Sequence, residues 1–450
     1  MDIENSSIYN EVLQITEGGE KAISYYWEAE VHTGDVTTKL LKVTTIRTFR
    51  DYEKNFSDEV MLEVAVPLGV YAKVVYPMRN ALEVTLYRRP LSEVGDTVME
   101  DEDSNTQRYK AVLVLDGLPP VEGTELGQLD QFSLDLQDIL KINFQLFGRT
   151  LEKLRIVTVG GIFRKTKAED VITSILSTES LKIQVIGEKA IDGVDMVPAV
   201  NKESREHIVI PQGTKLISVP TYVQEKCGGV YPTGIGTYLQ DRIWYVYPLF
   251  DTTRLKKVER SLTLIKVPKN RFSSIERTYR EEGGSVFVIG TDQTNFKDDG
   301  NTEFMNRGNG VRLADADQFM GLIAKVLDNK AVISRGKINS EFVITEKEDN
   351  SNNTQRSVDK ISANSFNDYS RLSARQGGIY QFVWENSLPT LLFPGMMVRV
   401  LYLSGDNIVE LNGVLLCVET LTQLAGIGLT SSRHVSTTLL SVFVNRVVDN

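Results

Sequence analysis

Residues 220–254 read PTYVQEKCGGVYPTGIGTYLQDRIWYVYPLFDTTR, the densest local pattern in the chain. Val219, Tyr222, Val223 and the Lys226–Cys227 pair recur at close to helical spacing. Ser218 is placed to cap this short helix, and Gly228 to end it. Beyond the glycines Thr237 and Leu239 alternate with Tyr238, a turn is expected at Gln240–Asp241, and Ile243, Tyr245 and Tyr247 alternate again. The pattern predicts a tight hairpin over 235–249. Trp244 and Tyr245 are neighbours on its second strand, so they must face opposite sides, one toward a domain core and the other free for a neighbour. Trp244, Tyr245, Tyr247 and Phe250 could stack on sugars or bases. Arg242 and Arg254 only flank the run and no cation is interleaved, so a core or a subunit interface is the simpler reading.

Outward from this segment, a chain of 450 residues is too long for one core and predicts roughly two to four domains. No run approaches ~18 uninterrupted apolar residues, so no spanning helix is expected. The opening MDIENSSIYNEV is acidic and lacks the basic and apolar regions of a secretory signal, which predicts folding in a cytoplasm. Cys227 and Cys417 are read as free thiols, one at a helix end and the other in an apolar strand pattern. No Cys or His pairs stand at ligand spacing, so zinc is not expected. The net charge of −10 argues against a nucleic-acid-binding surface. It fits either an acidic conduit that a polyanion passes without sticking or ordinary solubility.

The fold class read from the pattern is β-rich α+β. Residues 10–155 form the first domain, with strand patterns at Ala22–Val31, Leu40–Arg47, Glu59–Val66, Val70–Tyr76, Leu82–Tyr87 and Tyr109–Leu115. Further alternation at Phe132, Leu134 and Leu136, and at Ile142, Phe144 and Leu146, extends a barrel or sandwich. The acidic run Glu93, Asp96, Glu100, Asp101, Glu102 and Asp103 has no enforced geometry and reads as a solvated loop. Residues 156–260 form an α+β domain with a helix at 166–177 and the hairpin at 235–249. Thr166 and Glu169 fit a capping box, and Ala168, Val171, Ile172, Ile175 and Leu176 form one apolar stripe. Residues 261–390 are mixed α+β with strands at Ser261–Val267 and Ser285–Gly290 and polar loops at 291–312 and 346–365. A second helix is predicted over Ala314–Leu327. Residues 391–450 form a C-terminal β domain: Val398, Val400 and Tyr402 share a face, and strands follow at Val409–Leu411, Val414–Leu421 and Val435–Val444. These domains can be interleaved.

Chemistry is sparse. His32, His207 and His434 each stand alone, and no G-x-S-x-G elbow accompanies them. Gly234–Ile235–Gly236 and Gly308–Asn309–Gly310 lack the G-K-[ST] of a phosphate loop and read as turns. Asn295–Gly300 superficially suggests a calcium loop, but Lys297 and Asn306 fall where ligands are needed. No acid and nucleophile pair is singled out for glycoside hydrolysis. No catalytic residue, cofactor or metal is therefore assigned.

The stretch GGVYPTGIGTYLQDRIWYVYPLFDTTR, 228–254, resembles segments of baseplate hub and tail structural proteins of contractile-tailed bacteriophages. PGMMVRVLYLSGDNIVELNGVLLCVETLTQLAGIGLTSSRHVSTTLLSVFV, 394–444, is similar to the closing β domain of the same proteins. The resemblance implies tail-tube-like β-barrel domains with inserted helices and a C-terminal β domain. It implies a homotrimeric ring, as in the hub of T-even phages, placed in the virion tail after synthesis in the host cytoplasm. Its partners would be the tail tube protein, the central spike protein and other baseplate proteins, with viral DNA passing an acidic lumen without specific binding. The alternatives are another baseplate or tail component, such as a wedge or a tube initiator or terminator, or a tail-associated peptidoglycan hydrolase.

Overall fold

The computed structural model describes residues 25–90 except 35, 105–114, 138–185, 188–267, 278–290, 377–404, 407–425 and 433–445. Short pieces are also described at 12, 14–16, 295–297, 311–315, 334–335 and 342–346.

Seven strands come first: β1 (Tyr25–Thr33), β2 (Val36–Lys39), β3 (Lys42–Asp51), β4 (Glu59–Pro67), β5 (Leu82–Pro90), β6 (Asn105–Val114) and β7 (Ile139–Gly148). The order β3–β4–β7–β6–β5–β1 is antiparallel throughout, and β2 folds back on β1. Alternate residues point inward, as a half-buried sheet requires. Leu62, Val64 and Val66, Leu82, Val84 and Leu86, and Ile142, Phe144 and Leu146 are all buried in one aliphatic core.

The middle of the chain carries α1 (Arg149–Ile156), β8 (Thr158–Lys167), α2 (Ala168–Leu181), β9 (Gly193–Met196), β10 (Ser204–Lys215), α3 (Val219–Lys226), β11 (Ile235–Gln240) and β12 (Ile243–Pro248). β8 and β10 form a two-stranded ribbon, while β9, β12 and β11 form a small sheet. The stripe Ala168, Val171, Ile172, Ile175 and Leu176 is buried where α2 packs in a second core.

The remaining strands are β13 (Ser261–Lys266), β14 (Tyr279–Glu282), β15 (Ser285–Gly290), β16 (Asn295–Lys297), β17 (Val311–Asp315), β18 (Ser334–Arg335), β19 (Phe342–Glu346), β20 (Gly377–Glu385), β21 (Met397–Ser404), β22 (Asn407–Leu424) and β23 (His434–Asn445). β22 and β23 pair along most of their length and join two circuits of strands. From Cys417 to Gln423, β22 pairs with β3, and at the far side His434 of β23 meets Tyr25 of β1. Six of the first seven strands, all but β2, are thereby closed into a circuit with β22 and β23. From Asn407 to Val414, β22 pairs instead with β21, which runs parallel to β13, itself parallel to β15. From Thr437 to Asn445, β23 pairs with β20, and β20 pairs with β16, which follows β15 in the chain. This second circuit brings β15 beside β20, where an added Cβ at Gly290 would stand 2.4 Å from the Phe382 ring, but no strand pairing joins its two ends among the described residues. The change of partner falls at a register shift between Leu415 and Cys417, where a bulge re-aims β22.

Several expectations are corrected. Val70–Tyr76 is helical rather than a strand: Pro67 ends β4, and Leu68, Tyr71, Ala72 and Val75 then bury one helical stripe. The β-branched valines concealed that spacing. The capping box does not form, because β8 stays paired through Lys167–Ser204 and holds Thr166 extended. Helix α2 starts after Lys167, and Glu169 accepts instead from the Ala199 amide at 3.1 Å. Ser218 makes no capping bond because a 3₁₀ turn, Leu216–Ser218, already leads into α3. The hairpin turns at Asp241–Arg242, one residue later than expected, with φ of 48° and 67°. Val409–Leu411 and Val414–Leu421 are one continuous strand. Residues 391–450 do not make a separate sheet, since β21 pairs with β13 and β22 with β3. Ala314 lies in β17 rather than a helix, and the rest of that predicted helix lies outside the described residues. So do Phe132, Leu134, Leu136, the acidic run at 93–103 and nearly all of the two polar loops at 291–312 and 346–365.

Candidate functional site

Hairpin β11–β12 is wedged between two cores, and its strict alternation decides which side chain enters which. Leu239 sits opposite Trp244, and both enter the core under α2, together with Val246. Tyr238 sits opposite Tyr245 and faces the other way. Tyr238, Tyr247 and Leu249 are buried in the core of the second strand circuit, with Tyr245 and Phe250 packed against it. Both faces of the hairpin are thus used within the chain. Trp244 is fully buried, donates from Nε1 to Ser180 Oγ at 2.9 Å and stacks on Phe56. Phe250 meets Phe443 edge-on at 4.9 Å, and Tyr245 stacks on Phe393.

Tyr247 occupies a slot cut by two glycines. An added Cβ at Gly236 or at Gly395 would stand 2.4 Å from its ring, and Gly395 also has φ of +70°. Its hydroxyl donates to the Tyr52 carbonyl at 2.8 Å. Tyr52 belongs to the 51–58 turn between β3 and β4, and this turn ties the first circuit to the hairpin. The Tyr52 hydroxyl donates to Gln240 Oε1 at 3.2 Å, and Gln240 Nε2 donates to the Leu392 carbonyl at 2.7 Å. Tyr238 packs edge-on to Tyr52 and donates to Asp58 Oδ1 at 2.9 Å. Arg50 Nε donates to Asp58 Oδ2 at 2.9 Å, and its other nitrogen reaches the Pro389 carbonyl.

Burial opposes charge at this junction. It pushes the hydroxyls of Tyr52, Tyr238 and Tyr247 well above their ordinary value, so they remain neutral donors. Burial alone would lower Arg50, but the neighbouring Asp58 more than offsets it and keeps the guanidinium charged. The network ties the 51–58 turn to the hairpin and to the 389–392 turn through side chains, in addition to the strands β22 and β23 that the two circuits share. Its chemistry is that of a rigid joint.

The three histidines stand in separate surroundings. His32 bonds the hydroxyls of Thr37 and Thr85, and His207 lies on β10 opposite Arg164. His434 sits at the bridge that closes the first circuit. Its Nδ1 accepts from the Trp27 amide at 3.3 Å, and its Nε2 lies 3.0 Å from the Val43 carbonyl. These two partners require the neutral tautomer with the proton on Nε2. Burial holds its pKa down to about 4. Both cysteines are free, Cys227 buried and Cys417 half-buried. Among the described residues, no group of three or more His, Cys, Asp or Glu stands together as a metal site would need. A crevice of about 620 Å³ lies beside α1, but its charges are satisfied internally. Lys110 pairs with Glu152, Arg149 with Glu83, and Lys153 donates to the Gln184 carbonyl.

Trp244, Tyr245, Tyr247 and Phe250 are legible in the sequence as a cluster. Arg50, Tyr52, Asp58, Gln240 and Gly395 are not, because Tyr52 and Gln240 are 188 positions apart.

No protein-family model matches the chain, and no curated protein matches it. Solved structures do resemble it. The 43 kDa tail protein of prophage MuSo2 from Shewanella oneidensis is similar over 92% of this chain and 96% of that one, at 12% identity and a TM-score of 0.44. The E. coli c3393 protein is a type VI secretion component described as structurally similar to T4 bacteriophage tail proteins gp27 and gp5. It is similar over 91% of this chain and 76% of its own, at 9% identity and a TM-score of 0.38. A chain of the phage P2 baseplate in its activated conformation is similar over 92% and 98%, at 8% identity and a TM-score of 0.27. At such scores the likeness is one of general chain course and says nothing of role.

Proposed function

We propose that this chain is a structural component of a contractile phage tail, the central baseplate hub, and that its two strand circuits are tail-tube-like barrels. The observation that carries this reading is the sharing of β22 and β23 by two strand circuits on one polypeptide, the first of them closed by pairing. A chain with two such units side by side needs only three copies to present six around a ring. The sequence resemblance at 228–254 and 394–444 supports the same assignment, because those segments build the junction hairpin and the two shared strands. The joint of Arg50, Tyr52, Asp58, Tyr238 and Tyr247 suits a mechanical part, since buried, satisfied polar networks hold one relative placement of the cores. The ring would carry a lumen for DNA and meet the tail tube on one side and the spike on the other.

The test is the solution mass of the purified 50.5 kDa chain, followed by negative-stain imaging. Particles of three subunits with a central hole are the expected result. A chain that stays monomeric at every concentration, and that gives a lysis band in a cell-wall gel, would replace this reading with the hydrolase.

A further inference from the structure

The ribbon β8–β10 is the feature that the fold of a single copy leaves unexplained. Neither strand pairs with any other strand among the described residues. Its inner face is ordinary: Ile208 and Ile210 are buried, and Phe163 packs beside them against the middle core. The outer face is not. Ile162 and Val209 are direct cross-strand partners, yet they are 64% and 48% exposed, and Ile156 at the ribbon's base is 78% exposed. A cross-strand aliphatic pair is a unit that sheets normally bury.

The charge around that pair is equally unbalanced. Arg205 pairs with Glu203, and Glu206 is the one acidic residue on either strand. Arg164 shares the face of Ile162, and Lys165, Lys167 and Lys215 stand at the ribbon's ends. None of these four side chains has an ion pair within the described residues, in a chain whose net charge is −10. A cationic, apolar ribbon on an anionic chain is complementary to the rest of that same chain.

We propose that a second copy of this chain docks on the outer face of β8–β10, bringing an acidic surface onto the ribbon. The charges dictate the kind of symmetry. A two-fold contact through the ribbon would set four cations against four cations, which like-charge repulsion opposes. The contact is therefore heterologous, ribbon to a different face, and repeated heterologous contacts close into a ring when the rotation permits. The inference rests on the ring proposed above and adds which surface makes its contact.

The test uses the full chain and light scattering over a range of concentration and salt. Ile162→Asp with Val209→Asp should weaken association by about 100-fold, since each replaces a buried apolar contact by a carboxylate. Far-ultraviolet circular dichroism should be unchanged, because both side chains are exposed in the single copy. Raising salt should weaken wild-type association, and Arg164→Gln with Lys165→Gln and Lys167→Gln should flatten that dependence. A double variant that assembles like wild type overturns the ribbon contact and leaves the ring standing. A wild-type chain that never assembles overturns both.

Discussion

The two strand circuits share β22 and β23 but are built from different materials. The first core is dominated by Val, Leu and Ile on antiparallel neighbours that follow one another closely in the chain, and its last seam is the single bridge Tyr25–His434. The second core holds Trp384, Phe382, Phe443, Tyr380, Tyr238, Tyr247 and Tyr52, gathered from segments scattered between residues 52 and 444. It also contains parallel pairs, β13 with β15 and β13 with β21. The contrast separates two ways of specifying a curved circuit of strands. Alternating aliphatic strands define the first through local pattern, whereas the second depends on large rings that must meet across long sequence distances.

The strongest way to break the comparison is to empty the second core alone. Trp384 is fully buried, donates from Nε1 to Thr278 Oγ1 at 3.0 Å and meets Tyr279 edge-on. Trp384→Ala should cost about 4 kcal/mol in denaturant unfolding, combining lost burial with a cavity. Amides of β20 and β23 should lose hydrogen-exchange protection while those of β4 and β7 keep theirs. Equal loss in both circuits would mean that they unfold as one unit.

The complementary perturbation strikes the first circuit at its seam. His434 is neutral and buried when folded, with a pKa of about 4 against 6.5 when unfolded. Between those values the unfolded chain binds a proton that the folded chain refuses. Stability should therefore fall as pH drops from 6.5 to about 4, by on the order of 3 kcal/mol, and this group adds nothing further below that. His434→Gln should remove that part of the slope in unfolding midpoints measured against pH. An unchanged slope would place the titration elsewhere.

Between the circuits lies the Arg50–Asp58 pair. Asp58→Ala would leave the nearly buried Arg50 guanidinium without its carboxylate and Tyr238 without its acceptor. A fully buried pair broken this way costs about 3–5 kcal/mol, but Asp58 keeps a quarter of its side chain in water, so about 2 kcal/mol is expected. Thermal unfolding of the variant checks this. Asp58→Asn, which retains acceptor oxygen, should recover part of the loss.

Much of the first circuit was legible from alternation at Glu59–Val66, Leu82–Tyr87 and Ile142–Leu146, because a period of two with one buried face has few other readings. The stripe on α2 was legible for the same reason at a period near 3.6. Val70–Tyr76 reads as a strand because valine-rich helical turns resemble strands when only composition is weighed. β10 carries a mixed apolar and polar pattern with no clear period, and β22 looks broken at Asn412–Gly413, although the strand runs straight through. Within the junction, the aromatic cluster was visible, whereas the turn residues that anchor it were hidden by their distance in sequence.

The smallest expected effect tests the ribbon against both circuits. In a single copy, Ile162 touches solvent with most of its surface, so Ile162→Ser should change monomer stability by no more than about 0.5 kcal/mol. Ile208, one pair along on the opposite face, is 1% exposed, and the same change there should be clearly destabilising. Unfolding of both variants at a concentration too low for association makes the comparison. If Ile162→Ser proves as costly as Ile208→Ser, something within the same chain already covers the outer face. The aliphatic pair would then be core, and the docking of a second copy there would be untenable.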